Sequence, residues 1–286
     1  MSYKTIIGVQ AASELLINQN CVFVDCRFVL REPEQGFQDY SKSHIPGAVY
    51  AHLDRDLSGP VVPGKTGRHP LPDRERLAAT FSSWGIDART QVIAYDDSSG
   101  AMAAARLWWL LKWAGHDAAA VLDGGLKKWI EAGYPVAAGQ ETRQPKEFAP
   151  NFRPEMCVDA DEVLKMIDQS SYAILDARAA DRYCGENETI DPVAGHIRGA
   201  ISAPFAANQN EAGLFKSPDQ LKAHFEEATK GADAGRTVFY CGSGVTAAHS
   251  VLAYVHSGKG IPRLYPGSWS DWITHQSRPI ARGGSE

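Results

Sequence analysis

The chain has 286 residues, enough for two domains that each bury a core of their own. Its 44% hydrophobic and 22% charged residues are typical of a globular protein, and the net charge of −5 gives no reason to expect nucleic acid or an anionic membrane as a partner. No apolar stretch approaches the roughly 18 residues of a membrane span, and the N-terminus does not resemble a signal peptide. Five cysteines without framework spacing favour a reducing compartment, so we expect a cytoplasmic protein.

Short apolar runs alternate with helical patterns along the chain. The apolar runs predict strands over 22–25, 92–95, 119–122, 173–175, 237–240 and 261–264. The helical patterns cover 74–84, 101–114, 125–132, 159–168, 217–228, 245–257 and 268–275. This alternation predicts an α/β fold in which parallel sheets are covered by helices on both faces.

Four segments of the first half return in the second half in the same order. VFVDCR at 22–27 returns as AILDAR at 173–178, and SHIPGAV at 43–49 returns as GHIRGAI at 195–201. VIAYDDSSGAMAAARL returns as TVFYCGSGVTAAHSVL, and VLDGGLKKWIEAG as LYPGSWSDWITH. We therefore predict two duplicated domains, over 1–136 and 156–286, joined by a polar linker over 137–155 that contains three prolines.

Cys241 stands where a predicted strand, 237–240, runs into a glycine-bearing loop and then into the helix predicted over 245–257. Gly242 and Gly244 let the backbone turn tightly around the thiol, because glycine reaches positive φ without steric cost. Free amides and the positive end of a helix favour an anion at this position. Cys241 is therefore a candidate nucleophile that is stabilised as a thiolate or persulfide.

The alternatives for such a loop are a phosphate site and a buried core cysteine. A cysteine phosphatase needs an arginine six positions after the nucleophile, and this chain has Ala247 there. The repeat places Asp96 opposite Cys241, and the acidic loop around it is unsuited to holding an anion, so we expect the first domain to be catalytically silent. The remaining cysteines lack a glycine-rich loop and metal-ligand spacing and are expected to be core residues: Cys21, Cys26, Cys157 and Cys184.

These motifs resemble the two-domain rhodanese-like sulfurtransferases. The resemblance covers nearly the whole chain and rests on VDCR and LDAR, the SHIPGA and GHIRGA turns, the loop from Cys241 to Thr246, and PGSWSDW near the end. Within the family, the neutral CGSGVT loop is similar to that of the 3-mercaptopyruvate sulfurtransferases. Thiosulfate sulfurtransferases usually carry basic residues after the cysteine, where this chain has Gly242 and Ser243.

The resemblance implies a two-step transfer through a persulfide on Cys241. A small-molecule donor gives up its outer sulfur, and a thiophilic acceptor removes it: cyanide, a small thiol or a reduced thioredoxin-like protein. No metal or organic cofactor is implied, because the loop itself holds the persulfide anion. The loop residues expected to bind substrate are Gly242, Gly244, Val245 and Thr246.

Other site residues follow from the resemblance alone. Arg182 matches an arginine that grips the donor's carboxylate, and Ser243, His69 and Asp54 match a relay that protonates the enolate of pyruvate. The stretch 185–195 is acidic and lacks the family's second substrate arginine. The missing arginine weakens the case for 3-mercaptopyruvate and leaves thiosulfate or another persulfide donor open, whereas the neutral loop and Arg182 favour 3-mercaptopyruvate, which we take as the leading donor. A non-catalytic sulfur carrier or sensing module is the rival from another class.

Overall fold

The computed structural model describes residues 2–284, which fold as two compact units. Of these residues, 2–59 and 72–153 form the first unit, and 60–71 and 154–284 form the second. The segment 60–71 thus groups with the C-terminal half of the chain, while the domain boundaries at 136 and 156 stay a prediction. No helix within residues 2–284 has the length and apolar character needed to cross a membrane.

The first unit is built around a parallel sheet. Its strands are β1 (Ile6–Ile7), β2 (Cys21–Asp25), β3 (Val49–Tyr50), β4 (Gln91–Tyr95) and β5 (Ala119–Leu122). Its helices are α1 (Val9–Ser13), α2 (Gln35–Lys42), α3 (Arg74–Ser83), α4 (Ala103–Trp113) and α5 (Gly125–Glu131). The strand order is β1-β5-β4-β2-β3, with each neighbouring pair parallel. Every residue of β2 and β4 is buried, as expected for a sheet covered on both faces.

The second unit repeats this plan. Its strands are β6 (Ala173–Asp176), β7 (His196–Ile197), β8 (Ile201–Ser202), β9 (Thr237–Tyr240), β10 (Arg263–Leu264) and β11 (Ile280–Ala281). Its helices are α6 (Ala160–Met166), α7 (Ala180–Cys184), α8 (Pro218–Ala228), α9 (Thr246–His256) and α10 (Ser268–Trp272), with 3₁₀ turns at Pro154–Met156, Phe205–Asn208 and Ala234–Arg236. The parallel order is β10-β9-β6-β8, and β7 pairs antiparallel with β11.

Two helices of the second unit begin at recognisable sequence signals. Ser217 and Gln220 form a capping box at the start of α8, and Pro218 occupies the first helical position. Asp159 and Glu162 form a second capping box at α6. In each box two backbone amides that have no partner inside the helix find one in a side chain, which stabilises the helix by about 1 kcal/mol.

The apolar core of the second unit fixes α10 against β9. Val238 and Tyr240 of β9 belong to the same buried cluster as Trp269 and Trp272 of α10, and all four are fully buried. Burying a large aromatic side chain contributes about 2–3 kcal/mol, so the position of α10 beside this strand is strongly determined. The loop that follows β9 is therefore held between two well-packed elements.

The duplication predicted from the sequence recurs in side-chain detail. Arg27 pairs with Asp25 at 2.7 Å and Arg178 pairs with Asp176 at 2.6 Å, and both pairs are buried. Each arginine also donates to the carbonyl of the residue before the histidine of its HI turn. A buried guanidinium is tolerated because its carboxylate partner and the carbonyl satisfy it. The same buried ion pair therefore follows the second and the sixth strand of the chain.

The predicted α/β fold of parallel sheets with helices is confirmed. The helix predicted over 245–257 is α9, Thr246–His256, while the strand predicted over 261–264 is shortened to Arg263–Leu264. The structure adds elements that the pattern did not indicate, namely α1, α2, α7, β1, β3, β7, β8 and β11. These elements are two to eight residues long, which leaves too few positions for a periodic signal.

Candidate active site

Cys241 follows the last residue of β9 and lies at the carboxyl edge of the second sheet, where ligands of such sheets bind. The loop is attached to α10 by three hydrogen bonds. The Cys241 amide donates to Ser268 Oγ at 3.1 Å, and the carbonyls of Cys241 and Gly242 accept from the amides of Trp269 and Ser270 at 2.9 Å each. The thiol is buried, with 2% of the residue exposed. Cys241 is thus held by backbone that cannot move without breaking these bonds.

Gly244 directs a backbone amide at the sulfur. Its N–H donates to Cys241 Sγ over 3.1 Å, and its φ of +78° is one that residues with a side chain rarely adopt. A Cβ at this position would lie 2.4 Å from the carbonyl oxygen of Pro266, so only glycine fits. Val245 precedes α9, which begins at Thr246 without a side-chain cap, so the positive end of the helix lies at the loop. The positive φ expected at both glycines of the loop is thus found at Gly244, while the prediction for Gly242 is wrong, since its φ is not positive.

Ser243 and His69 meet in the second unit, although 174 positions separate them in the chain. His69 Nδ1 lies 2.8 Å from Ser243 Oγ, and both residues are buried. His69 belongs to the segment 60–71, which packs in the same unit as the Cys241 loop. Asp54 is an exposed residue of the first unit, and its amide donates to His52 Nδ1. A relay through Asp54 therefore stays a prediction.

Arg182, on α7, is already engaged by carboxylates. Its Nε and Nη2 bond the Glu188 carboxylate at 3.0 and 2.9 Å, and Nη2 also lies 3.0 Å from Asp191 Oδ2. Burial opposes ionisation of Glu188, but hydrogen bonds from the backbone amides of Asp191 and Ile190 and from Arg182 outweigh it and lower the pKa of Glu188. The acidic stretch 185–195 thus supplies the partners that hold this arginine in place.

Arg68 lies beside the Cys241 loop, although no prediction from the sequence had pointed to it. Its Nη1 lies 2.6 Å from Asp191 Oδ1, and its backbone amide donates to Ser270 Oγ at 3.0 Å. A Cβ built on Gly242 would lie 3.1 Å from Arg68 Nη2 and 3.6 Å from Arg182 Nη2, so both guanidinium groups lie over the residue after the nucleophile. The available signal was its position next to His69 in GRHPLP.

The corresponding loop of the first unit directs its backbone amides at the carboxyl group of its own Asp96. Asp96 Oδ1 accepts from the amides of Ser98 and Gly100 at 2.8 Å each, and Oδ2 accepts from Met102 and Ala104 at 3.2 Å each. Burial raises the pKa of Asp96, and the hydrogen bonds from these backbone amides oppose that rise. The amides that would otherwise face a ligand are thereby used. That the loop is unsuited to an external anion stays a prediction.

The other cysteines lie away from any comparable loop. Burial raises the pKa of Cys21 to about 12 and that of Cys26 well above its ordinary value, so both thiols stay protonated and unreactive near neutral pH. Cys157 and Cys184 are half-buried. Within residues 2–284, no group of three or more His, Cys, Asp or Glu side chains is arranged to hold a metal ion.

Comparison with known proteins gives matches over both halves of the chain. Residues 9–132 and 159–275 match the family model described as Rhodanese-like domain. A Pseudomonas aeruginosa protein named "Probable 3-mercaptopyruvate sulfurtransferase" is 44% identical over 284 residues, or 99% of this chain and 100% of that protein. A "Thiosulfate sulfurtransferase" of Cricetulus griseus is 33% identical over 255 residues, or 87% of this chain and 83% of that protein. The solved structure of 3-mercaptopyruvate sulfurtransferase from Leishmania major has a TM-score of 0.85 and 31% identity, and covers 97% of this chain and 76% of that one.

Proposed function

Since the chain belongs to the two-domain rhodanese-like sulfurtransferases, we propose that it takes sulfur from 3-mercaptopyruvate and passes it, through a persulfide on Cys241, to a thiophilic acceptor. In the first step the Cys241 thiolate attacks the donor sulfur. A sulfur–sulfur bond forms, the donor's carbon–sulfur bond breaks, and pyruvate leaves as its enolate, which takes up a proton. In the second step the acceptor attacks the outer sulfur and the thiolate returns. Dividing the transfer into two displacements is the usual benefit of covalent catalysis.

The loop stabilises the anion in both of its forms. The Gly244 amide, 3.1 Å from Cys241 Sγ, donates to the attacking thiolate and remains beside the persulfide. The helix end at Val245 and Thr246 adds a positive dipole, and Gly242 has no side chain that would displace the guanidinium groups of Arg68 and Arg182 beside it. Because these groups are fixed by backbone hydrogen bonds, they need little reorganisation during the reaction.

The observation that carries the choice of donor is the hydrogen bond between His69 and Ser243, two residues after the nucleophile. Loss of sulfur from 3-mercaptopyruvate leaves a carbanion-like enolate that needs a proton, whereas loss of sulfur from thiosulfate leaves sulfite, which needs none on carbon. A serine hydroxyl bonded to an imidazole is suited to deliver that proton. We assign Ser243 as the donor of the proton, His69 as the group that replaces it, and Asp54 as a third member of the relay.

Arg182 binds the donor's carboxylate in this proposal, since a guanidinium matches a planar carboxylate. The acceptors proposed are cyanide, a small thiol or a reduced thioredoxin-like protein. We place the reaction in the cytoplasm, because all five cysteines are free thiols and a reducing compartment preserves them.

Comparison of two donors tests the proposal. With cyanide as acceptor, kcat/KM is measured for 3-mercaptopyruvate and for thiosulfate, and we expect the first to be larger. A preference for thiosulfate of more than about tenfold, or roughly 1.4 kcal/mol in transition-state stabilisation, would make thiosulfate the donor instead. A persulfide that forms on Cys241 but that no acceptor removes would favour a sulfur carrier.

A further inference from the structure

Two guanidinium groups of the second unit lie over Gly242, next to the nucleophile. Arg68 reaches this position from the segment 60–71 and Arg182 reaches it from α7. Measured from a Cβ built on Gly242, Arg68 Nη2 lies at 3.1 Å and Arg182 Nη1 at 3.7 Å. The second arginine that the stretch 185–195 lacks is thus present in space, from a distant part of the chain.

Asp191 joins the two arginines. Its Oδ1 is 2.6 Å from Arg68 Nη1 and its Oδ2 is 3.0 Å from Arg182 Nη2. The Asp191 side chain is only 2% exposed, so this bridge is sheltered from competing water. Each carboxylate oxygen therefore holds one guanidinium, and Asp191 links the two arginines directly.

Part of each guanidinium remains available to a ligand. In the part of the chain that the structure describes, Arg68 Nε is buried and has no hydrogen-bond acceptor. The hydrogen bonds of the Arg182 side chain use Nε and Nη2, which leaves Nη1 facing Gly242. The donors that face Gly242 are Arg68 Nη2 and Arg182 Nη1, and a pair of guanidinium N–H groups matches the two oxygens of a carboxylate.

The charges of this cluster cancel. Arg68 and Arg182 are balanced by Glu188 and Asp191, both with 2% of the side chain exposed, and Arg178, which also lies 3.5 Å from Glu188, is balanced by Asp176. A carboxylate brings one uncompensated charge into such a site, and oriented N–H donors offset part of its desolvation. A dianion such as thiosulfate brings two and is therefore disfavoured relative to the monoanion.

We propose that Arg68 is the second guanidinium of the donor site, and that Asp191 is a positioning residue that aligns Arg68 with Arg182 and, with Glu188, cancels their charge, so that the site selects a monocarboxylate donor over thiosulfate. This inference rests on the proposed function for the identity of the donor. It adds Arg68, from the segment 60–71, as a residue that determines donor specificity. It also adds Asp191 as a carboxylate that acts by positioning the two arginines.

Asp191→Asn is the most direct test. Asparagine keeps the shape of the side chain but has one oxygen acceptor and no charge, so the arginines lose alignment and the site gains one positive charge. We expect the ratio of kcat/KM for 3-mercaptopyruvate to that for thiosulfate to fall at least tenfold. Asp168→Asn, which breaks the exposed ion pair with Arg198 in the same unit, is the matched control and should leave the ratio unchanged. Equal losses with both donors in Asp191→Asn would overturn the selectivity role.

Arg68→Met tests the second guanidinium separately. With 3-mercaptopyruvate, we expect KM to rise at least tenfold while kcat changes by less than about threefold. Pyruvate, which has the carboxylate but no sulfur, should inhibit the thiosulfate–cyanide reaction of the wild-type enzyme and do so at least tenfold less strongly in Arg68→Met. An unchanged KM and an unchanged pyruvate inhibition constant would exclude Arg68 from the donor site.

The pyruvate measurement also separates the two proposals. If the wild-type enzyme fails to use 3-mercaptopyruvate, the proposed function fails, yet weaker pyruvate inhibition in Arg68→Met would still support a carboxylate site at Arg68. If the wild-type enzyme uses 3-mercaptopyruvate and Arg68→Met does so equally well, only the inference fails. Should Asp191→Asn prove unfolded by circular dichroism, Arg68→Met decides the question, because Arg68 is partly exposed and its loss leaves Asp191 paired with Arg182.

Discussion

Replacing Gly244 with alanine adds a single carbon atom, Cβ, to the loop that surrounds Cys241 Sγ. A Cβ there would lie 2.4 Å from the carbonyl oxygen of Pro266 and 3.0 Å from its Cα, and both are backbone atoms that cannot rotate away. The φ of +78° adds roughly 1–2 kcal/mol of strain for a residue with a side chain. The loop must therefore shift, and the bond from the Gly244 amide to Cys241 Sγ is the contact that this shift breaks.

The expected loss of activity follows from that bond. Removing one fixed backbone-type donor from a developing anion costs about 2.7–4 kcal/mol, or roughly 100- to 1,000-fold in rate. We expect kcat/KM of Gly244→Ala to fall by at least about 100-fold with either donor, because the thiolate and persulfide are common to both reactions. Steady-state assays with cyanide as acceptor measure the fall, and chemical denaturation measures the accompanying loss of stability.

The first unit offers a matched control for this experiment. Gly100 lies in the corresponding loop, has a φ of +79°, and would place a Cβ 2.6 Å from Val121 Cγ1. Gly100→Ala should lower the free energy of unfolding but leave kcat/KM within about threefold of the wild-type value. The reasoning is refuted if Gly244→Ala retains kcat/KM within about threefold and forms persulfide at the wild-type rate.

Three other substitutions test separate parts of the account. Ser243→Ala should lower kcat/KM for 3-mercaptopyruvate roughly 100-fold and for thiosulfate less than about threefold, since only the first reaction needs a proton on carbon; equal losses would contradict the proton-delivery role. Burial lowers the pKa of His249 from 6.5 to about 3, so the unfolded chain binds a proton that the folded protein refuses and stability falls as pH drops below 6.5. Between pH 6.5 and pH 5, the free energy of unfolding of His249→Phe, measured by urea titration, should fall by about 2 kcal/mol less than that of the wild type. Identical pH profiles of the two proteins would refute this. Asp96→Asn turns an amide toward backbone N–H groups and should cost about 1–3 kcal/mol of stability while leaving kcat/KM within about threefold; a large loss of activity would contradict a purely structural role.

The sequence was sufficient for the fold and for the local part of the site. Cys241 and its loop were predictable because strand, glycines and helix are contiguous, and the repeat exposed Asp96 as the counterpart. The short elements were not predictable, since β7 (His196–Ile197) and β8 (Ile201–Ser202) are too brief for any periodic pattern. Their position is decided by pairing with distant strands.

The long-range part of the site depends on tertiary packing. The acidic stretch 185–195 lacks the second substrate arginine that the family resemblance led us to expect. Its residues Glu188 and Asp191 instead hold arginines that lie outside the stretch. Arg68 reaches the loop because the segment 60–71 packs within the second unit, and nothing in its local sequence encodes that placement. Resemblance pointed to His69 in the same segment, but the distance to Ser243 needed the structure.

The intact mass of the protein after treatment with the donor tests most directly whether Cys241 carries the transferred sulfur as a persulfide. We treat three proteins with 3-mercaptopyruvate: the wild type, Cys241→Ser and Cys184→Ser. Excess donor is removed, and the intact mass of each protein is measured by mass spectrometry before and after addition of cyanide. The account predicts that wild type and Cys184→Ser gain the mass of one sulfur atom, that cyanide removes it with release of thiocyanate, and that Cys241→Ser gains nothing. A sulfur adduct on Cys241→Ser, or a wild-type protein that gains no sulfur, would contradict the account.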